Sequence, residues 1–292
     1  MIKNSNKKNK LVPLNDHAFK RMFGDVGCEP QLIILLNGLT NRTGKDSIKK
    51  LKIIEKEIPR EHYGDKEIRL DVVAITDNGE QFNIEAQLRN VDMGPRSAFY
   101  GSRQLVNSVK KGQDYNTMIK SRVITIFGSK SKERDKQKGY YKYEKSNEFF
   151  ERYEFDLHKF ESLENKDINN PQHRCLMFLS ENTDEKMRKK VIKMDPELGK
   201  AQEILDHINS SPGEIELYEM RELVKMDIKN ARKRDMQEGI EIGKEEGIEK
   251  GKEVEKIEVA LLSIKENLPT KTIRKLTGLS VKKIEKLRQK QE

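Results

Sequence analysis

The chain has 292 residues, of which 58 are Lys or Arg and 49 Asp or Glu, and 34% are hydrophobic. The formal net charge is +9, and the apolar supply suits one domain-sized core with polar extensions, not two large cores. Apolar runs such as Leu32–Leu36 and Val259–Leu262 fall well short of the roughly 20 residues that span a bilayer, so no membrane span is expected.

The start MIKNSNKKNK is basic with no apolar stretch behind it, and a secretory signal is not expected either. Cys28 and Cys175 lie far apart, without a CxxC or a His at ligand spacing. A disulfide framework or a zinc site is therefore unsupported, and a reducing, cytoplasmic setting is expected.

Taken in chain order, Asn15–Gly24 predicts a short helix. Asn15 or Asp16 caps it, Ala18, Phe19, Met22 and Phe23 recur at helical spacing, and Gly24 ends it. Pro30–Leu39 predicts a second helix. Ile48–Glu55 alternates enough for a strand, and Ile68–Ile75 is a stronger one through Val72, Val73 and Ile75. Thr76-Asp77-Asn78-Gly79-Glu80 then reads as a hairpin turn and Gln81–Leu88 as the returning strand. Arg96–Lys111 predicts a long helix with Pro95 at its first turn and Gly112 after its end. Val123–Phe127 is a short apolar strand suited to the middle of a sheet.

Residues 129–145 are poor in apolar side chains and read as an exposed insertion. Phe149–Leu157 reads as a strand, Pro171–Ser180 as a helix, and helix resumes from Glu214. Within that helix Gly239, Gly243, Gly247 and Gly251 recur every four residues. They mark either a stripe where a second helix approaches, with self-association through the C-terminal helices, or a mobile charged linker.

In Val259–Gln289, Leu261, Leu262 and Ile264 fit one helix. Pro269 opens a second through Ile273 and Leu276, Gly278 breaks it, and Ser280 caps a third carrying Ile284 and Leu287. This order is helix-turn-helix-like, although small amphipathic helices are more often protein-docking bundles. The expected organisation is a basic disordered start over 1–12, a main domain over 13–215, a charged Gly-periodic helix or linker over 216–257 and a small helical module over 258–292.

Positive charge is concentrated. Residues 1–10 carry four Lys and no acid, residues 129–145 seven basic and three acidic residues, and residues 270–292 eight basic and two acidic. Such patches on a body that is not itself basic modestly favour a phosphate-backbone partner over solvated tails.

The feature with chemical content is Arg69-Leu70-Asp71-Val72-Val73, followed across the hairpin by Ile84-Glu85-Ala86-Gln87. Strand side chains alternate, so Glu85 and Gln87 share a face. A two-residue loop would make paired residue numbers sum to 157 and set Asp71 opposite Ala86. A three-residue loop, with Asp77 and Asn78 in a type I turn and Gly79 left-handed as a bulge, makes the sum 156 and sets Asp71 opposite Glu85. Opposed Cβ atoms lie roughly 4.5–5.5 Å apart, near enough for two carboxylates to share a hard divalent cation, and the bulged turn is the predicted one. On an arbitrary hairpin such carboxylates are usually only the solvent face.

Here the surrounding residues add weight. Asn15-Asp16-His17-Ala18-Phe19-Lys20, Leu70-Asp71-Val72, Ile84-Glu85-Ala86-Gln87, Arg96 with Phe99-Tyr100, and Gly112 with Tyr115 together resemble the PD-(D/E)XK nuclease superfamily. Within it they resemble the recombination-promoting nuclease and transposase family, over roughly residues 13 to 180.

The resemblance implies an α/β, restriction-endonuclease-like core, a mixed sheet flanked by helices, with a helical C-terminal extension. It also implies a magnesium-dependent endonuclease, with manganese as an alternative metal, acting on DNA in recombination or mobile-element biology. Carried over residue by residue, Asp71 and Glu85 would be metal ligands, with the Ala86 backbone carbonyl as a third. Gln87 stands where the superfamily usually has Lys, and Gln there is itself a feature of the family resembled. Lys can help activate water, whereas Gln orients it through hydrogen bonds.

Arg96, Tyr100, Arg103 and Asn107 share one helix face by spacing. That face either holds a phosphate beside the metal, with Arg96, Tyr100 and Arg103 binding DNA, or is simply solvated. Lys20, one turn after Asp16, is a further DNA-binding candidate, and His17 reads as structural. The rival from another class is a noncatalytic DNA-binding or assembly protein on a degenerate nuclease scaffold.

Overall fold

The computed structural model describes residues 10–54, 57–58, 68–69, 72–88, 94–109 and 111–290. They form two compact units that divide between Tyr218 and Glu219.

In the first unit, helices α1 (Asp16–Phe23) and α2 (Glu29–Leu39) precede strand β1 (Leu51–Ile53) and the short antiparallel pair β2 (Glu57–Ile58) and β3 (Ile68–Arg69). The hairpin β4 (Val72–Thr76) and β5 (Glu80–Gln87) follows, then α3 (Gly94–Ser108) and β6 (Lys120–Phe127). Next come α4 (Lys132–Asp135), β7 (Tyr141–Lys145), β8 (Phe150–Asp156) and helices α5 (Leu157–Glu161), α6 (Pro171–Leu179), α7 (Glu185–Met194) and α8 (Pro196–Ser210). The main sheet runs β1-β4-β5-β6-β8-β7. Its centre, β5-β6-β8, is parallel, and its flanks pair antiparallel. This is the mixed, helix-flanked sheet that the sequence predicts, with a helical C-terminal part.

Two faces of the sheet divide the work. Phe82, Ile84, Ala86, Ile124, Ile126 and Phe155 alternate onto one face and bury against Phe19, Met22, Phe23, Leu35, Leu36 and Leu176 of α1, α2 and α6. Asn15 starts α1 as a true cap: its side-chain Oδ1 accepts from the backbone N–H of His17 and Ala18, at 3.0 and 3.2 Å. Its amide donates to the Tyr218 hydroxyl at 2.7 Å. His17 stacks on Tyr218 and lies 3.5 Å from the Glu214 carboxylate, which fits its structural reading.

Two expectations are corrected. Residues 129–145 are not a bare insertion: β7 pairs along β8, with Tyr141 stacked on Phe155 and Tyr143 against Tyr153. Alternating tyrosines give an edge strand one apolar face despite its charge. Of the expected disordered start, residues 1–9 lie outside the described residues, and Leu11 is buried and exchanges two hydrogen bonds with the Asn209 side chain. Residues 181–213, to which the sequence reading assigns no element, form α7 and α8. The latter buries Leu198, Ala201, Leu205 and Ile208 along one helical stripe.

At the start of β5 a buried charge network ties three strands to the loop after α2. Glu80 receives Arg42 in a two-pronged contact at 2.5 and 3.2 Å, and Arg122 at 3.1 Å. Arg122 also reaches Glu151 at 3.1 Å, and the Tyr153 hydroxyl donates to Glu151 at 2.7 Å. Burial pushes the Glu80 carboxyl up, but the Arg42 hydrogen bond and the charges of Arg42 and Arg122 outweigh it and hold the group below its ordinary value.

The second unit holds most of α9 (Pro212–Lys265), then α10 (Thr270–Thr277) and α11 (Val281–Arg288). Ala260, Ile264, Ile273, Leu279 and Ile284 form its small core. Gly278 ends α10 in the left-handed region at φ 72°, and Ser280 caps α11 by accepting from the Lys283 N–H, as the sequence predicts. Leu262 and Leu276 are exposed, against expectation. The buried stripes run Ala260–Ile264 and Ile273–Thr277, one turn apart, and these two leucines fall off them.

Glu80→Gln is expected to lower the unfolding free energy at neutral pH by about 3 kcal/mol, the scale for breaking a buried ion pair. A carboxyl depressed on folding contributes stability that is present above the ordinary carboxylate range and is lost as pH falls through its folded-state value. The variant should therefore lose less stability on acidification than the parent. Urea denaturation of both proteins from neutral to acid pH measures this, and two parallel stability curves would contradict it.

Candidate active site

The hairpin geometry settles which residues of β4 and β5 face each other. Gly79 adopts φ 74°, its N–H bonds to the Thr76 carbonyl at 3.0 Å, and the Glu80 N–H donates to the Thr76 hydroxyl at 3.1 Å. Ile75 then opposes Gln81, Val73 opposes Asn83 and Val72 opposes Ile84. Each pair sums to 156, the register of the bulged turn. The described ladder ends there, because Asp71 lies outside the described residues.

β5 is buried on both faces, yet one of them is polar. Gln81, Asn83 and Glu85 are buried, Glu85 at 1% exposure, and Gln87 is half-buried at the strand's end. Buried polar groups cost about 1–3 kcal/mol each when unsatisfied, and α3 supplies much of what they need. The Gln104 amide donates to the Asn83 carbonyl oxygen, and its own carbonyl accepts from the Ser121 hydroxyl at 2.7 Å. Ser97, in the first turn of α3, places its hydroxyl 3.4 Å from that of Thr125. Thr125 is the residue beside Glu85 across the β5–β6 ladder. Gly101 completes this seat, since a Cβ there would lie 2.0 Å from Phe150 Cε2. The Gln87 side-chain amide donates to Glu85 Oε2 at 3.0 Å, so the two functional candidates of β5 are joined directly.

The other sequence candidates are placed unevenly. The Arg96 side chain lies outside the described residues. Tyr100 is 5% exposed, Arg103 is half-buried and Asn107 is exposed. The stripe that meets the sheet is Ser97, Gly101 and Gln104, about 100° around α3 from the stripe of Arg96, Arg103 and Asn107. Tyr100 falls at the border between the two and is buried there. Phe99 and Val106, which a purely amphipathic reading would bury, are exposed, because the face that packs is the small and polar one.

Lys20 is exposed on α1. The end of that helix meets β4: a Cβ on Gly24 would lie 2.9 Å from Val72 Cγ2 and 3.2 Å from Lys20 Cγ. Lys20 thus stands near the residue that follows Asp71.

Glu85 and the Ala86 carbonyl are hard oxygen donors of the kind Mg²⁺ prefers. Among the described residues, which do not include Asp71, no three His, Cys, Asp or Glu side chains gather as a metal cluster. That donor set is compatible with Mg²⁺, which ordinarily keeps several waters.

Ser97, Gln104 and Thr125 escape the sequence reading. The available signal was the full alternation Gln81, Asn83, Glu85, Gln87, which marks a whole polar strand face in need of partners, together with Ser97 and Gln104 spaced seven apart on the following helix.

A family model described as PD-(D/E)XK nuclease family transposase matches residues 13–235. No curated protein and no solved structure matches the chain.

Removing the Gln104 amide leaves Asn83 and Ser121 buried without that partner, so Gln104→Ala is expected to destabilise the protein by about 2 kcal/mol. Asn107→Ala, one turn on but exposed, should stay within about 0.5 kcal/mol of the parent. Equal denaturant midpoints for the two variants would show that the polar seat of α3 contributes nothing.

Proposed function

Because the chain belongs to the PD-(D/E)XK nuclease family transposases, we propose that it is a Mg²⁺-dependent DNA endonuclease, with Mn²⁺ an acceptable substitute, serving recombination or mobile-element chemistry. The observation that supports this reading best is the hairpin register. Val72 opposes Ile84, and the same register carried one residue further would set Asp71, which lies outside the described residues, opposite Glu85.

In this proposal Asp71, Glu85 and the Ala86 carbonyl hold the cation. A bound Mg²⁺ would polarise a phosphoryl oxygen and acidify a water. Gln87 donates through its amide to Glu85, and its carbonyl oxygen is the atom suited to accept a hydrogen bond from the attacking water. A neutral amide orients that water without taking its proton. Arg96, Arg103 and Lys20 position the phosphate backbone, and Tyr100 forms part of the wall beneath them.

The second unit adds affinity in this reading. Lys271, Arg274, Lys275, Lys282, Lys283 and Lys286 are exposed around the small core of α10 and α11. That is a positive surface suited to backbone phosphates.

Supercoiled plasmid incubated with the protein and Mg²⁺ should be nicked, and EDTA should stop the nicking. Asp71→Ala and Glu85→Ala should each lower the rate at least about 100-fold. Calorimetry adds a readout without turnover: Mg²⁺ binding should be lost in Asp71→Ala. Cleavage equal in all samples, or absent from all, would move the assignment to a noncatalytic DNA-binding or assembly protein.

A further inference from the structure

The small core of the second unit joins three helical pieces. The last turns of α9 supply Ala260 and Ile264, α10 supplies Ile273, and α11 supplies Ile284. Between α10 and α11 the chain turns in three residues, and each of them is fixed. Gly278 is left-handed at φ 72°, and its N–H bonds to the Arg274 carbonyl at 2.9 Å. Leu279 is buried and donates its N–H to the Thr277 hydroxyl at 3.2 Å, and Ser280 caps α11. Away from the turn, the Thr270 hydroxyl donates to the Glu285 carboxylate at 2.7 Å, and Arg288 donates to the Leu268 carbonyl at 3.1 Å. Two short helices locked through a tight, Gly-containing turn are the means by which helix-turn-helix proteins hold their second helix in a major groove.

The outward face of α11 has matching chemistry. Around the helix axis Lys282, Lys286 and Gln289 lie within about 40° of the direction opposite the buried Ile284, and all three are exposed. Gln289 belongs to this row because its backbone is still helical, at φ −61° and ψ −21°. On the flanks, Lys283 is held by Glu253 of α9 and Glu285 by Thr270. Val281, 46% exposed, stands at the first position of the helix. Residues 270–292 carry eight basic and two acidic side chains, a balance that favours a nucleic acid over a protein as the partner of this face.

We propose that α11 is a recognition helix that reads the base sequence of double-stranded DNA in the major groove. Lys282 and Lys286 are suited to the O6 and N7 acceptors of guanine, Gln289 to N6 and N7 of adenine, and Val281 to a thymine methyl group. Lys271 and Lys275, four apart on α10 and opposite Ile273, contact phosphates and fix the register. Beyond the phosphate attraction proposed above, this gives the second unit a preferred site and so a means of choosing where the chain binds. The inference takes from the preceding reading only DNA as the partner, and it stands whether or not the first unit cleaves.

The full-length protein, held in EDTA so that no metal-dependent cleavage competes, is incubated with a pool of duplexes of randomised sequence, and the bound duplexes are recovered and sequenced. A common motif should emerge, and a duplex carrying it should bind at least about 100-fold more tightly than a scrambled duplex at the same salt. Lys286→Ala and Gln289→Ala should each relax the preference at one or two positions of the motif. Lys271→Ala with Lys275→Ala should instead weaken binding to both duplexes alike and lower the slope of log affinity against log salt by about 2. All four side chains are exposed, and circular dichroism of each variant checks that helix content is kept.

Absence of a motif would overturn the proposal. So would a motif unchanged in Lys286→Ala and Gln289→Ala, or a loss in those variants that is equal for both duplexes, and the unit would then be a phosphate-binding or protein-docking bundle. Plasmid nicking reads Asp71 and Glu85, whereas this selection reads α11, so either reading can fail while the other holds.

Discussion

The central strand β5 is covered on both sides but apolar on only one of them. Phe82, Ile84 and Ala86 settle into the helical core, while Asn83 and Glu85 are equally buried on the opposite face. A strand of this kind is tolerable only if something polar is laid across it. That requirement sets where α3 sits, why its packing stripe is Ser97, Gly101 and Gln104 instead of leucines, and why Phe99 and Val106 are left in solvent. The cover helix is thus chosen by hydrogen bonding, and the apolar core elsewhere supplies the stability that such a face does not.

The two ends of β5 have different tasks. At its beginning Glu80 is fixed by Arg42 and Arg122, charges that are paired and enclosed. At its end Glu85 and Gln87 touch each other beside the first turn of α3. Strong ionic anchoring five residues from Glu85 keeps the strand from sliding. The charges that the proposal assigns to DNA lie instead on α1, on α3 and on the separate C-terminal unit.

Much of this was legible from residues alone, and the reasons differ by element. Helix α1 announces itself through Asn15, the apolar spacing and Gly24, because capping and periodicity are local. The hairpin register followed from turn chemistry, since Asp77 and Asn78 in a type I turn with a left-handed Gly79 make the bulged form. The strand β7 was obscured because its two tyrosines are diluted among lysines, and its pairing partner β8 is what makes it a strand. The helices α7 and α8 depend on contacts with α1, α2 and α6, and only α8 carries a clean apolar stripe. In the candidate site, Glu85 and Gln87 stood out as polar breaks in an apolar strand. Ser97, Gln104 and Thr125 did not, because ordinary hydroxyls and amides acquire meaning only when another element brings them together.

The register of the hairpin has a further consequence for how such a sequence can change. Val72, Val73 and Ala74 are all apolar and all buried, so β4 packs acceptably whichever face each residue takes. The apolar pattern therefore does little to police the parity of the strand, and the turn around Gly79 sets how β4 meets β5. A lineage that lost or gained one residue in this turn would keep a folded, well-packed protein while exchanging which β4 side chains share a face with Glu85. Loop length at a single exposed turn is in this sense an inherited on–off setting for the proposed chemistry, able to change without warning from stability or expression.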